Sequence, residues 1–311
     1  MPSVAIVSGA ATLCGRSGAA MSRFVTSTGP QRADDLRSEG GFFMAHVSTS
    51  DGHRIYFEHH AGSKLAVMLI HGWGMSCRVW DTTLSALLAA GHEVVAFDQR
   101  GCGQSDKDFA DNTISLGAQD ALAVLRAAGI SRVAVNGWSL GGAIATEVAH
   151  RLGTGCAGLV LTAAATPRYV QAPDYPYGNP PGSPKATVEA LRQDRANFFD
   201  GLTKAVFAAP QSAAKNAWLW SIFMQTAPCA DAALADLDSL DQREMLAALT
   251  VPILSFVGGK DLFVPPDVGR SVASIARQCQ LIEFENCGHA PFIEEAPRYR
   301  SAVLDFLGAI A

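Results

Sequence analysis

Gly137-Trp138-Ser139-Leu140-Gly141-Gly142 stands between an apolar run, Arg132-Val133-Ala134-Val135, and a stretch with helical spacing, Leu140 to Leu152. The run is short and continuous, as in a strand covered on both faces. A strand that becomes a helix across so few residues must turn tightly. The positions two before and two after Ser139 then have no room for a side chain, and both are glycine. The turn presents Ser139 at a helix N-terminus, where unpaired backbone N–H groups can hold a developing negative charge. Gly-x-Ser-x-Gly alone is a weak signal; between a strand and a helix it marks a nucleophile.

The surrounding pattern supplies that context. Arg54 to Glu58 alternates like a strand, and Leu65 to Ile70, Glu93 to Phe97 and Gly158 to Leu161 are further apolar runs. Helical stretches cover Val79 to Ala90 and Ile114 to Ala128, closed by Gly91 and Gly129. Strands alternating with helices predict a parallel sheet with helices on both faces. Between Pro167 and Thr250 the alternation stops. Five prolines are followed by helical stretches without strands: Ala186 to Phe207, Gln211 to Thr226 and Ala230 to Leu249. The rhythm then resumes with strands Pro252 to Val257 and Gln280 to Phe284 and helices Val268 to Gln278 and Pro297 to Ile310. The expected organisation is an extension (1–43), an α/β core (44–166 and 249–311) and a helical cap (167–248) inserted in it.

A serine nucleophile needs a base and a group to orient that base. Asp261 follows one late strand through Gly258-Gly259-Lys260, with Asp267 as a rival. His289 follows the next, and no other histidine lies after that strand. Ser139, Asp261 and His289 would therefore meet at one edge of a parallel sheet. His71-Gly72-Trp73-Gly74 follows the first apolar run. Its Trp73 N–H, with that of Leu140, is the expected oxyanion pair, and His71 is expected to serve the loop's structure. Trp138 flanks the serine. The cap contributes an aromatic-rich set that includes Phe198, Phe199, Trp218, Trp220 and Phe223. Trp138, Trp218, Trp220 and Phe223 are the candidate pocket residues, with core packing as the competing role.

Composition narrows the classes. Apolar residues make up 49% of the 311 and charged residues 17%, against about 25% charged in soluble domains. Disorder is excluded by that balance. The 24 basic and 29 acidic residues give a net charge of −5 without like-charge blocks, a poor match to nucleic-acid binding. No apolar stretch reaches the roughly 18 residues of a membrane span. The seven cysteines are odd in number and scattered, so reduced thiols and a cytoplasmic location are expected. No clustered Cys/His spacing suggests a metal, and no cofactor is implied. Residues 1–43 read as a flexible extension: a secretory signal would place its basic residues before its apolar core, and Arg16 comes after it.

His71-Gly-Trp-Gly74, Asp98-Gln-Arg-Gly-Cys-Gly-Gln-Ser105, Gly137-Trp-Ser-Leu-Gly-Gly142, Gly258-Gly-Lys-Asp261 and Gly288-His289 together resemble the α/β-hydrolase family. The resemblance covers residues 50–311 and is to the branch of non-haem haloperoxidases, arylesterases and similar small esterases. It implies an α/β-hydrolase fold with a mostly parallel, doubly wound sheet and an inserted helical cap. It also implies a structural role for the Asp98 to Ser105 loop. The activity implied is cleavage of a small, largely apolar ester, thioester or lactone through an acyl-enzyme. The partner expected is a small-molecule substrate, with a homo-oligomer left open. Family members with an Asp nucleophile, epoxide hydrolases and dehalogenases, are disfavoured by Ser139. Two alternatives stay open on the same fold: a cofactor-independent dioxygenase or C–C bond hydrolase, and a non-catalytic ligand-binding receptor.

Overall fold

The computed structural model describes residues 41–311, which are built around a single eight-stranded sheet. Its strands are β1 (Phe42–Ser48), β2 (Arg54–His60), β3 (Lys64–Ile70), β4 (His92–Phe97), β5 (Val133–Trp138), β6 (Cys156–Thr162), β7 (Ile253–Gly258) and β8 (Cys279–Phe284). Their order across the sheet is β1-β2-β4-β3-β5-β6-β7-β8. β1 and β2 run antiparallel to their neighbours, and β3 to β8 form a parallel block. The crossovers are helices: α1 (Asp81–Ala89) between β3 and β4, α2 (Ile114–Ala128) between β4 and β5, and α3 (Leu140–Leu152) between β5 and β6.

Side chains on a strand alternate between its faces, and here both faces are covered. Met68, Ile70, Val133 and Val135 join Ala118, Ala121 and Ile144 of α2 and α3 in one buried cluster. Val67, Leu69, Val94 and Ala134 point the other way, toward Trp80, Leu87, Tyr299 and Val303 in a second. Two-sided burial is why these strands read as unbroken apolar runs. Each buried Val, Leu, Ile or Met side chain among them contributes about 1.5–3 kcal/mol. α2 has the ends its sequence predicts. The Thr113 side chain accepts the Leu116 N–H, and Gly129 leaves the helix at φ 65°.

Between β6 and β7 lie α4 (Ser183–Gln193), α5 (Arg195–Ala205), α6 (Ala213–Phe223), α7 (Asp231–Asp236) and α8 (Arg243–Ala248). The single helix expected over 186–207 is broken at Asp194, whose φ of −153° is not helical and whose carboxylate caps α5 by accepting the Asn197 N–H. The stretch 230–249 likewise divides into two short helices. After β7 come α9 (Pro266–Ile275), then β8, α10 (Pro291–Glu294) and α11 (Ala296–Ile310).

One boundary moves. β1 begins at Phe42, inside the stretch expected as an extension. It pairs with β2 over its whole length, from Phe42 opposite His60 to Ser48 opposite Arg54. Its outward residues include Phe42 and Met44 as well as His46, so apolar and polar positions do not alternate cleanly and the strand is hidden in the sequence. The rest of the expected extension, residues 1–40, lies outside the described residues. No helix among the described residues is long and apolar enough to cross a membrane.

Candidate active site

The loops after β3, β5, β7 and β8 all leave the carboxyl edge of the parallel block, where open α/β sheets gather their ligands. Ser139 sits between β5 and α3 at φ 57°, ψ −124°, a conformation costing a non-glycine residue about 1–3 kcal/mol. Its backbone is held there from several sides. Ser139 N–H donates to the Thr162 carbonyl at 3.0 Å, and its own carbonyl accepts from Gly142 at 2.8 Å and Ala165 at 2.9 Å. The turn closes so far that a Cβ on Gly137 would strike the Gly141 carbonyl, and one on Gly141 would strike the His71 carbonyl. The two glycines are steric necessities.

Asp261 lies just past β7, and one of its oxygens accepts the N–H groups of Phe263 at 2.8 Å and Val264 at 3.0 Å. The other lies 2.7 Å from His289 Nδ1. With a carboxylate that only accepts, Nδ1 carries the proton and Nε2 is left as the acceptor. The rival Asp267 instead pairs with Arg270 on α9 at 2.8 Å. His289 is further constrained through its backbone: its N–H donates to Val206 at 2.8 Å, and its carbonyl accepts the Trp138 indole N–H at 2.8 Å. Ser139 and His289 line one cavity of about 180 Å³. Cys287, two residues before His289, donates to Glu294, and burial first, then the Glu294 charge, pushes its thiol up. It stays a neutral thiol.

Gly72 brings the loop after β3 against the turn; a Cβ there would lie 3.2 Å from Ser139 Cβ. Trp73 and Leu140 both line the cavity, and no protein acceptor among the described residues takes either backbone N–H. His71 is fully buried, and burial lowers its pKa. Its Nδ1–H donates to Gly72 carbonyl at 2.7 Å while Nε2 accepts from Gln99 N–H at 3.0 Å. It is a neutral strut within the loop. Asp98 braces the same region, one oxygen accepting Cys77 N–H and the other Gln104 N–H, each at 2.7 Å. No group of three or more His, Cys, Asp or Glu among the described residues could hold a metal ion.

The pocket residues divide. Trp138 lines the cavity, and it also clamps His289 through the indole bond. Trp218, Trp220 and Phe223 are not among the lining residues, which corrects the expectation for the cap. The reason is layering. α5 presents Phe198 and Leu202, four residues apart on one face, to the cavity, with Val206 following in the same row. α6 packs behind α5. Its Phe223 stacks on Phe199 at 4.8 Å and abuts Gly74. Trp220 is 36% exposed, its indole N–H donating to Ala196 at 3.1 Å, and Trp218 packs into the second core cluster. The remaining wall comes from Tyr169, Thr187, Leu234, Leu237 and Phe263.

Glu294 had no sequence signal. One carboxylate oxygen accepts Gly288 N–H at 2.7 Å, and the other accepts Ala208 N–H at 2.8 Å. A single side chain thus ties the His289 loop to the segment leaving α5. Tyr169 was missed as well, since a tyrosine among prolines carries no pattern that points to a cavity.

The family model for the α/β hydrolase fold matches residues 66–296. An AB hydrolase superfamily protein of Bacillus subtilis is 28% identical, covering 85% of this chain and 99% of its own length. A pimeloyl-[acyl-carrier protein] methyl ester esterase of Sodalis glossinidius is 31% identical, with 77% and 92% covered. A non-heme haloperoxidase of Rhodococcus erythropolis is 27% identical over 85% and 99%. Among solved structures, an esterase from Exiguobacterium antarcticum superposes with a TM-score of 0.81 at 26% identity, covering 85% of this chain and 99% of its own. With the strand order, the strained serine turn and a family match over most of its length, the chain belongs to the α/β-hydrolase family.

Proposed function

We propose that the protein is a serine hydrolase that cleaves small, neutral, largely apolar esters, thioesters or lactones. The observation that carries this reading is the 2.7 Å Asp261–His289 pair, with His289 and Ser139 lining the same cavity. In this reading Ser139 Oγ attacks the substrate carbonyl as His289 Nε2 takes its proton. Asp261 holds the ring in the tautomer that makes this possible and stabilises the cation formed. The Trp73 and Leu140 N–H groups receive the oxyanion, each worth about 3 kcal/mol in the transition state. His289 then returns the proton to the leaving group, and water releases the acyl group by the reverse sequence.

The wall supports a neutral substrate. None of the lining residues is Asp, Glu, Lys or Arg, so a charged acyl group would lose water and gain no partner. Residues 167–248 act here as the cap that closes over Ser139 and sets acyl preference. The names of the relatives, esterases among them, are consistent with ester chemistry.

The test is Ser139→Ala assayed on a panel of p-nitrophenyl esters, together with fluorophosphonate labelling of both proteins. Turnover is expected to fall by more than about 10³-fold with labelling lost. Undiminished turnover and labelling in the variant would refute the assignment.

A further inference from the structure

One polar group in the cavity wall is left over by these hydrolytic steps. Ser139 and His289 serve the reaction, and the Thr187 hydroxyl donates to the Ser183 carbonyl at 2.9 Å within α4. Tyr169 differs from all three. Its hydroxyl has no hydrogen-bond partner among the described residues, and its oxygen is not sealed off by packing. The backbone around it is anchored: the Tyr169 carbonyl accepts Asn179 N–H at 2.9 Å, and the Val170 carbonyl accepts from Arg168 at 2.8 Å. Burial, then the nearby Asp261 charge, push the phenol pKa up. The group is therefore a protonated donor throughout the working pH range of a histidine base. Tyr169 lines a mostly apolar cavity on an anchored segment, and its phenol, without a partner among the described residues, is available to hydrogen-bond with what enters.

We propose that Tyr169 determines specificity by donating a hydrogen bond to a second oxygen on the substrate, so that the cavity prefers neutral esters bearing a hydroxyl or keto oxygen besides the scissile carbonyl. The inference rests on the hydrolase reading above. It adds a substrate class, oxygenated neutral esters, that apolar walls alone would not select.

Two matched pairs test it and tell which side carries the oxygen: p-nitrophenyl 3-hydroxybutanoate against p-nitrophenyl butanoate, and 2-hydroxyethyl butanoate against ethyl butanoate. The readout is the ratio of kcat/KM within each pair, which a general loss of folding or turnover does not move. The wild type is expected to favour the oxygenated member of at least one pair by about fivefold or more, the range of one hydrogen bond. Tyr169→Phe should bring that ratio close to one, while Thr187→Val, which removes the committed hydroxyl, leaves it in place. A wild-type ratio near one in both pairs overturns the proposal. So does a preference that survives Tyr169→Phe, or one that Thr187→Val abolishes equally. Turnover that persists in Ser139→Ala would instead remove the hydrolase reading beneath it, a distinct result.

Discussion

The carboxyl edge of the sheet and the helices that follow β6 supply the two halves of one cavity, and they are built on different physics. At the edge, each candidate catalytic group is fixed by its own few neighbours. Ser139 is held by bonds to Thr162, Gly142 and Ala165, and Asp261 by the N–H groups of Phe263 and Val264. In the helical block no such local rule decides which residue faces the cavity. Phe198 faces it and Phe199, one position on, is buried against Phe223. A rotation of α5 by one residue would exchange their roles. At the edge, residue type is set by local contacts; in the helices, orientation decides which side chain meets the cavity.

Four substitutions probe that difference. The largest effect is expected at the edge. Asp261→Asn keeps the shape but offers an amide that can hold the His289 ring in the wrong tautomer, and kcat should fall by about 10⁴-fold with little change in KM. A loss below tenfold would mean that His289 does not depend on Asp261 for its orientation. A middle effect is expected where the two regions join. Glu294→Ala strips acceptors from Gly288 and Ala208 together, which costs about 2 kcal/mol of stability. It should also lower kcat roughly tenfold while KM moves less, because the change acts through His289. Thermal melting and steady-state kinetics on one preparation separate the two, and a loss of stability with kcat intact would assign Glu294 to folding alone.

The smallest effect sharpens the contrast within the helices. Trp220→Ala should leave kcat/KM within about twofold, because its ring lies on the outer surface. Phe198→Ala, in the wall, should change acyl-chain preference several-fold. Measuring both variants on esters of increasing chain length orders them. Equal effects would show that α6 reaches the substrate after all.

The legibility of the sequence follows the same line. Gly137 and Gly141 announce the turn because any side chain there would meet backbone, and the order of Ser139, Asp261 and His289 along the chain mirrors three strand ends. The two-sided burial of β3 to β7 is legible as apolar runs, the ends of α2 as caps, and α3 as periodicity. β1 was not legible, since an edge strand with Phe42 and Met44 outward lacks a clean alternation. Glu294 and Tyr169 were silent for another reason. Each acquires its role by meeting residues far along the chain: Glu294 meets Ala208 across 86 positions, and Tyr169 lies near Asp261.

The sequence by itself determined the sheet's parallel block, the serine turn and the residues that follow the strands, because steric and periodic constraints there act over a few residues. Only the tertiary structure decided the cavity wall. It set Phe198 rather than Trp220 against the cavity, placed Glu294 between the His289 loop and the helices, and left the Tyr169 hydroxyl without a partner among the described residues. Those outcomes depend on how short helices rotate and stack on one another, and a helix such as α6, apolar on nearly every face, carries no mark of which face turns inward.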